Sequence, residues 1–106
     1  MTTLELWHKL FSSLGSKPQE FPTTPKSNRK PLWFSAYIDG NCIYVRNAKE
    51  HQPSCSILGE RKLTYKEFEQ MYPIYLKREQ GEPVSKEAQV ISFNQVYWYS
   101  LIKHCC

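Results

Sequence analysis

Apolar side chains near the start of the chain recur at intervals of three and four residues, which predicts an amphipathic helix within residues 1–15. Thr2 and Glu5 have the spacing of a capping box, and Gly15 is suited to the left-handed position that ends a helix. A helix this short is marginal in isolation, so its apolar stripe must pack against something. The stripe contains Leu4, Trp7, Leu10, Phe11 and Leu14.

A proline-rich connector follows at residues 16–31. Its four prolines remove backbone donors and favour extended conformations, so the pattern predicts an irregular tether on the surface. Such a tether would let the first helix pack either on its own core or on a neighbouring chain. The prolines are Pro18, Pro22, Pro25 and Pro31.

Aromatic and β-branched residues are concentrated in residues 32–46, on either side of Asp39, Gly40 and Asn41. These three residues favour a tight turn with positive φ, so the segment is predicted to be a β-hairpin. Alternation puts Trp33 and Tyr37 on one face and the more apolar residues on the other. Residues 55–58 are a candidate third strand.

Two further helices are predicted at residues 64–80 and 93–104. Thr64 with Glu67, and Ser92 with Gln95, have capping-box spacing, and Gly81 ends the earlier helix. Pro73 lies inside that helix and either bends it or splits it. Between the two helices, residues 82–89 are predicted to be a connection with one short turn.

The last helix is apolar on nearly all sides. Val96, Tyr99 and Lys103 share one face, and Trp98 and Ile102 share another. A helix of this kind is buried on several sides, so it is either the central helix of the core or part of a subunit interface.

These elements predict one α+β domain spanning residues 1–106. A small antiparallel sheet, formed by the hairpin 32–46 and the candidate strand 55–58, packs against the two C-terminal helices. The N-terminal helix is attached through the proline-rich tether.

Aromatic residues make up 14% of the chain, with three Trp, seven Tyr and five Phe. So many rings exceed what one small core is expected to hide, which favours a homodimer with rings buried between chains. The first function hypothesis is therefore a non-enzymatic interaction protein. Its candidate interface residues are Leu4, Trp7, Phe11, Tyr97, Trp98 and Ile102.

The net charge of +4 lies entirely between residues 17 and 62, which hold eight basic and four acidic residues. Basic residues next to aromatic ones can hold phosphates while the rings stack on bases, so a nucleic-acid-binding or regulatory accessory protein is the second hypothesis. A third hypothesis is a small-molecule site in an aromatic-lined cavity between sheet and helices. The candidate nucleic-acid-binding residues are Lys26, Arg29, Lys30, Trp33, Tyr37, Tyr44 and Arg46.

Several activities lack a sequence signature. The glycines are isolated, the four cysteines lack paired zinc-ligand spacing, and no residues form a catalytic constellation. We therefore expect no cofactor, no metal and no enzymatic activity. There is no apolar run of about 18 residues and no secretory signal at the N-terminus, so we expect no membrane partner, reduced thiols and a cytoplasmic location.

Overall fold

The structure, a computed structural model, describes residues 2–25, 29–92 and 94–106. Within these residues the chain forms four strands and four helices, and the predicted α+β class is confirmed. The sheet is antiparallel throughout, in the order β1-β2-β3-β4. The elements are α1 (Thr3–Ser13), β1 (Gln19–Pro22), β2 (Trp33–Asp39), β3 (Cys42–Asn47), β4 (Arg61–Leu63), α2 (Tyr65–Glu79), α3 (Ser85–Ile91) and α4 (Gln95–Cys105).

The predicted hairpin is confirmed as β2 and β3, with Asp39 paired to Cys42 across a two-residue turn. Gly40 has a φ of 64°, a conformation that glycine adopts without steric cost. Side chains alternate between two faces of the sheet, and the centre of the inner face is buried against the helices. The fully buried residues of this face on β2, β3 and β4 are Phe34, Ala36, Ile43, Val45 and Leu63.

The prediction of a third strand at residues 55–58 is wrong, because the strand next to β3 is β4. The backbone N–H of Cys55 donates to the carbonyl of Trp33 at 2.7 Å, and that of Ile57 donates to Oδ1 of Asn47 at 2.7 Å. Two backbone N–H groups of this segment are thus bonded to the first residue of β2 and to a side chain at the end of β3, not to a neighbouring strand. Cys55 and Ile57 contribute to the core from an irregular segment.

The prediction of an irregular tether at residues 16–31 is also wrong in part, because the connector contains β1. This strand pairs with β2 at the edge of the sheet, where Pro22 lies opposite Trp33. Proline is tolerated in an edge strand because a donor is not required on the outer side. Gly15 does not have positive φ, and α1 instead ends at Leu14 in an extended conformation.

The helix predicted at residues 64–80 is confirmed as α2, with Thr64 as N-cap and Gly81 following at a φ of 87°. Pro73 is exposed and α2 is continuous through it, so the helix is not split. The predicted connection contains the seven-residue helix α3 rather than a single turn.

The last helix, α4, begins at Gln95, and residue 93, at which the helix was predicted to begin, lies outside the described residues. Asn94 is its N-cap and makes no side-chain capping bond, so the Ser92–Gln95 capping box is wrong. The Ser92 hydroxyl instead donates to Glu67 of α2, which also accepts from Nε1 of Trp98 at 2.7 Å. This carboxylate therefore fixes α4 against α2.

The last helix was predicted to be either the central helix of the core or part of a subunit interface. Seven residues of α4 are buried within the chain, so α4 is a central helix of the core. Helix α1 packs on the same chain: the ring centroid of Trp7 lies 5.4 Å from that of Phe68 and 6.3 Å from that of Trp98. No helix in the described part of the chain combines the length and apolarity needed to cross a membrane.

Six of the fourteen described Trp, Tyr and Phe side chains are buried and the other eight are partly buried, so the expected surplus of aromatic rings stays a prediction. Among the interface candidates, only Leu4 is exposed, at 49%. Phe11 is half-buried, and the four others are buried in the core: Trp7, Tyr97, Trp98 and Ile102. The homodimer itself stays a prediction.

Candidate functional site

Three of the predicted nucleic-acid-binding residues meet on the outer face of the sheet. Tyr37 and Tyr44 are cross-strand partners whose ring centroids lie 5.6 Å apart. The guanidinium of Arg46 lies over the Tyr37 ring, 4.6 Å from its centroid, and its Nε donates to Glu60 at 2.7 Å. The Tyr37 hydroxyl also donates to Glu60. The guanidinium of Arg46, the cation that would contact a phosphate, is therefore already paired with the carboxylate of Glu60.

The hydrogen bonds of this outer-face cluster shift two pKa values. The bonds from Tyr37 and Arg46 lower the pKa of Glu60, because they stabilise its charged form. The bond to Glu60 raises the pKa of Tyr37, because the hydroxyl must keep its proton to donate it. Both shifts favour the observed arrangement of an ionised carboxylate and a neutral phenol.

Trp33 is the remaining nucleic-acid-binding candidate on the hairpin. It lies at the other end of β2 from Tyr37, and its ring stacks on that of His51 with centroids 3.9 Å apart. Nδ1 of His51 and the backbone N–H groups of residues 49–51 surround the Glu20 carboxylate at 2.8–3.0 Å. Burial raises the pKa of Glu20, but these hydrogen bonds outweigh it and lower the value to about 2. The loop after β3 is thereby fixed to β1.

Arg29 and Lys30 do not join the outer-face cluster. They line a cleft on the helical side of the molecule, between α4 and the end of the connector. Lys26 lies outside the described residues. The structure therefore divides the predicted nucleic-acid surface into separate regions.

That cleft has a volume of about 690 Å³, and we call it the α4 cleft. The first half of α4, residues 81–85, residues 55–56 and the end of the connector line it. The lining residues from α4 and from residues 23–32 are Gln95, Val96, Tyr97, Tyr99, Thr23, Thr24, Pro25, Arg29, Lys30 and Leu32.

Arg78 of α2 fixes the connector against this cleft. Its Nη2 donates to the carbonyl of Thr24 at 2.5 Å, and its guanidinium lies 4.3 Å from the centroid of the Tyr99 ring. The side chain is 13% exposed and also contacts Glu79 at 3.7 Å. A positive charge is thus held in the wall by defined contacts rather than on a free surface side chain.

One residue that lines the α4 cleft, Tyr99, has a polar atom without a partner. The hydroxyl of Tyr99 is buried and has no hydrogen-bond partner in the described part of the chain. Buried hydroxyls are almost always hydrogen-bonded in native proteins, so this group is an exception that requires a reason. Burial raises the pKa of Tyr99, of Tyr97 and of the Cys55 thiol, so all three are neutral at pH 7.

A second, smaller cavity of about 450 Å³ adjoins the α4 cleft, and we call it the Lys103 depression. The two share residues 23–25, Arg29 and Arg78. Lys103 and His104 line its far side, and the His104 ring stacks on Phe21. Burial, with the nearby charge of Lys103, lowers the pKa of His104.

Most residues of the α4 cleft were not among the sequence candidates, since only Arg29, Lys30 and Tyr97 appear in both sets. One sequence signal does point to it, because the face shared by Val96, Tyr99 and Lys103 lines the two adjoining cavities. Within the described residues, no three His, Cys, Asp or Glu side chains are placed to hold a metal ion.

Comparison of the chain with protein-family models, with curated proteins and with solved structures found no match.

Proposed function

We propose that this protein is a non-enzymatic binding protein that takes a small organic molecule in the α4 cleft. The observation that carries the proposal is the cleft itself, whose volume of about 690 Å³ lies within the range of small-molecule sites. Such sites combine apolar walls with a few polar groups that fix the orientation of the ligand.

Exposed apolar side chains at the mouth of the cleft support this proposal. Leu32 is 41% exposed and Val96 is 46% exposed, and both line the cleft next to the buried Tyr97 and Val84. A ligand that covered these side chains would gain roughly 25 cal/mol for each Å² of apolar surface removed from water. The ligand is therefore expected to have an apolar body.

The chemistry of the walls favours binding over catalysis. Cys55 is the thiol that lines the cleft, and burial raises its pKa, so it is not the thiolate that nucleophilic catalysis requires. Glu82 is the one carboxylate among the described residues that line the cleft. Apart from Cys55, the other ionisable side chains that line it are basic or phenolic.

Fluorescence titration with Nile red, a neutral apolar dye, tests the proposal. Val96→Trp places a large side chain at the mouth, and we expect it to weaken dye binding by at least about tenfold, the equivalent of 1.4 kcal/mol. Val90→Trp is the matched control, because Val90 is an exposed valine of α3 that does not line the cleft. Thermal melts of both variants establish that they are folded.

A second pair keeps the test decisive if Val96→Trp unfolds. Leu32→Glu introduces charge at the mouth, and Leu58→Glu introduces it at a 97% exposed site outside the α4 cleft. The proposal predicts weaker binding for Leu32→Glu alone. Unchanged binding in Leu32→Glu, or equal losses in both variants, would contradict it.

Single-stranded nucleic acid is a second candidate ligand, for the outer face of the sheet. The observation that favours it is the stacked pair Tyr37 and Tyr44, beside the exposed Arg46 and Lys62. Aromatic rings next to cations bind single strands through stacking and phosphate contacts. Titration with oligonucleotides at two salt concentrations tests this: the candidate predicts salt-dependent binding that Tyr37→Ala and Tyr44→Ala weaken, and no binding at low salt removes it.

A further inference from the structure

We propose that the ligand of the α4 cleft is an organic anion, with an apolar body in the cleft and a carboxylate or phosphate group at the wall around Arg29. This inference rests on the proposed function and deepens it by assigning a charge to the ligand. The geometry that carries it is the shared wall of the α4 cleft and the Lys103 depression.

The shared wall brings the apolar and the basic regions within reach of one molecule. Residues 23–25, Arg29 and Arg78 line both cavities. The apolar side chains Leu32 and Val96 lie on the cleft side of this wall, and Lys103 lies on the depression side. A ligand whose body covers the apolar mouth can therefore place a head group among the cations.

Charge in the two cavities is mainly positive. Two carboxylates, Glu79 and Glu82, line them, and Glu79 already contacts Arg78. Cavities lined mainly by one sign of charge concentrate ions of the opposite sign. Charge-assisted hydrogen bonds to carboxylate or phosphate are also stronger than neutral ones. The four cationic residues that line the cavities are Arg29, Lys30, Arg78 and Lys103.

His104 lines the Lys103 depression and reports on the charge bound there. Burial and the charge of Lys103 both disfavour its protonated form. The other charged groups that line the depression are Arg29, Arg78 and Glu79, and Phe21 covers one face of the ring. An anion bound at the shared wall would offset the positive charge, so its binding must raise the pKa of His104.

Three probes with the same eight-carbon chain separate charge from apolarity: octanoate, octyl phosphate and octanol. Calorimetric titration is expected to show at least one of the two anions binding about tenfold or more tighter than octanol, because only the anions form charge-assisted hydrogen bonds. The ratio of the two anion affinities identifies the head group as carboxylate or phosphate.

Substitution of the cations tests the assigned wall. The double variant Arg29→Gln/Lys30→Gln is expected to weaken anion binding by about tenfold or more and to leave octanol binding unchanged. The matched control is Lys62→Gln/Lys66→Gln, which removes two exposed cations that do not line either cavity.

The outcomes separate this inference from the proposed function. If octanol binds as tightly as both anions, or the double variant binds anions normally, the anionic ligand is wrong while the cleft still binds apolar molecules. If none of the three probes and no Nile red binds, the proposed function fails as well.

NMR of the three histidine side chains locates the anion without any mutation. Octanoate or octyl phosphate, whichever binds tighter, is expected to shift the imidazole signals of His104 and to raise its pKa. His8 and His51 serve as internal controls, because neither lines the α4 cleft or the Lys103 depression. Shifts confined to His51 or His8, or an unchanged His104, would contradict the assigned position.

Discussion

Helix α4 has two sides that contrast in how completely their aromatic residues are partnered. On one side, Trp98 is fully buried, packs against Trp7 and Phe68, and donates its indole N–H to Glu67. On the other side, Tyr99 is buried but its hydroxyl has no partner in the described chain, and its neighbours line the α4 cleft. One helix thus completes the core on one side and borders an open cavity on the other.

The contrast shows that burial alone does not distinguish core from site. Trp98 and Tyr99 are both buried, yet only the polar atom of Trp98 is satisfied within the chain. Satisfied polar groups and close ring packing are typical of a structural core. Exposed apolar side chains beside a cavity, here Leu32 and Val96, are typical of a binding surface.

Removing the central ring of the closed side should have the largest effect. Trp98→Ala is expected to lower the free energy of unfolding by roughly 3–5 kcal/mol, because it leaves a cavity among packed rings. Urea denaturation measures this loss. Trp33→Ala is the control, and its half-buried ring should cost less than half as much. Equal losses would break the distinction between the closed side and the periphery.

The hydrogen bonds of Glu67 should contribute the next largest effect. Glu67→Ala leaves the buried indole N–H of Trp98 without an acceptor, which is expected to cost about 1–3 kcal/mol of unfolding free energy. Glu69→Ala removes an exposed carboxylate of the same helix and should change stability by less than about 0.5 kcal/mol. If both variants unfold at the same urea concentration, Glu67 does not fix α4.

Glu20 offers a second, pH-dependent test of a fully partnered polar group. Its folded pKa of about 2 lies below the ordinary value of 4.5, so its ionised form stabilises the fold. This contribution is complete above about pH 4.5 and is lost as the pH falls towards 2. Urea midpoints of the wild type and of Glu20→Gln should therefore differ at pH 7 and converge at low pH. A difference that does not depend on pH would contradict the role assigned to the carboxylate.

The smallest effect is expected on the cleft side. Tyr99→Phe removes a buried hydroxyl that has no partner, so stability should be unchanged or higher by up to about 1 kcal/mol. Tyr37→Phe is the contrasting control, because that hydroxyl donates to Glu60 and accepts from Arg46. A loss of stability above about 1 kcal/mol in Tyr99→Phe would mean that its hydroxyl is satisfied in the native protein.

Local patterns in the sequence predicted much of the fold. The structure confirms three features that depend on residues close together in the chain: the capping box of Thr2 with Glu5, the turn at Gly40 and the helix α2. The two errors in the sheet concern partners that are distant in the chain. Strand β1 exists because it pairs with β2, and residues 55–58 are irregular because Trp33 and Asn47 take their backbone N–H groups.

The candidate site was harder to predict for the same reason. The α4 cleft is formed where four separate segments meet, and no short motif records their approach. Periodicity did place Val96, Tyr99 and Lys103 on one face of α4, but it did not show that this face borders a cavity. The role of Arg78 in fixing Thr24 depends on a contact across 54 residues, which sequence spacing does not reveal.

Chemical-shift mapping with octanoate and octyl phosphate on the isotopically labelled protein is the most direct test of the binding role assigned to the cleft side of α4. The account predicts saturable shifts at Thr24, Val84, Val96 and Tyr99, with the indole signal of Trp98 unchanged. No saturable shift with either compound, or shifts centred on Tyr37 and Tyr44 of the sheet, would contradict it.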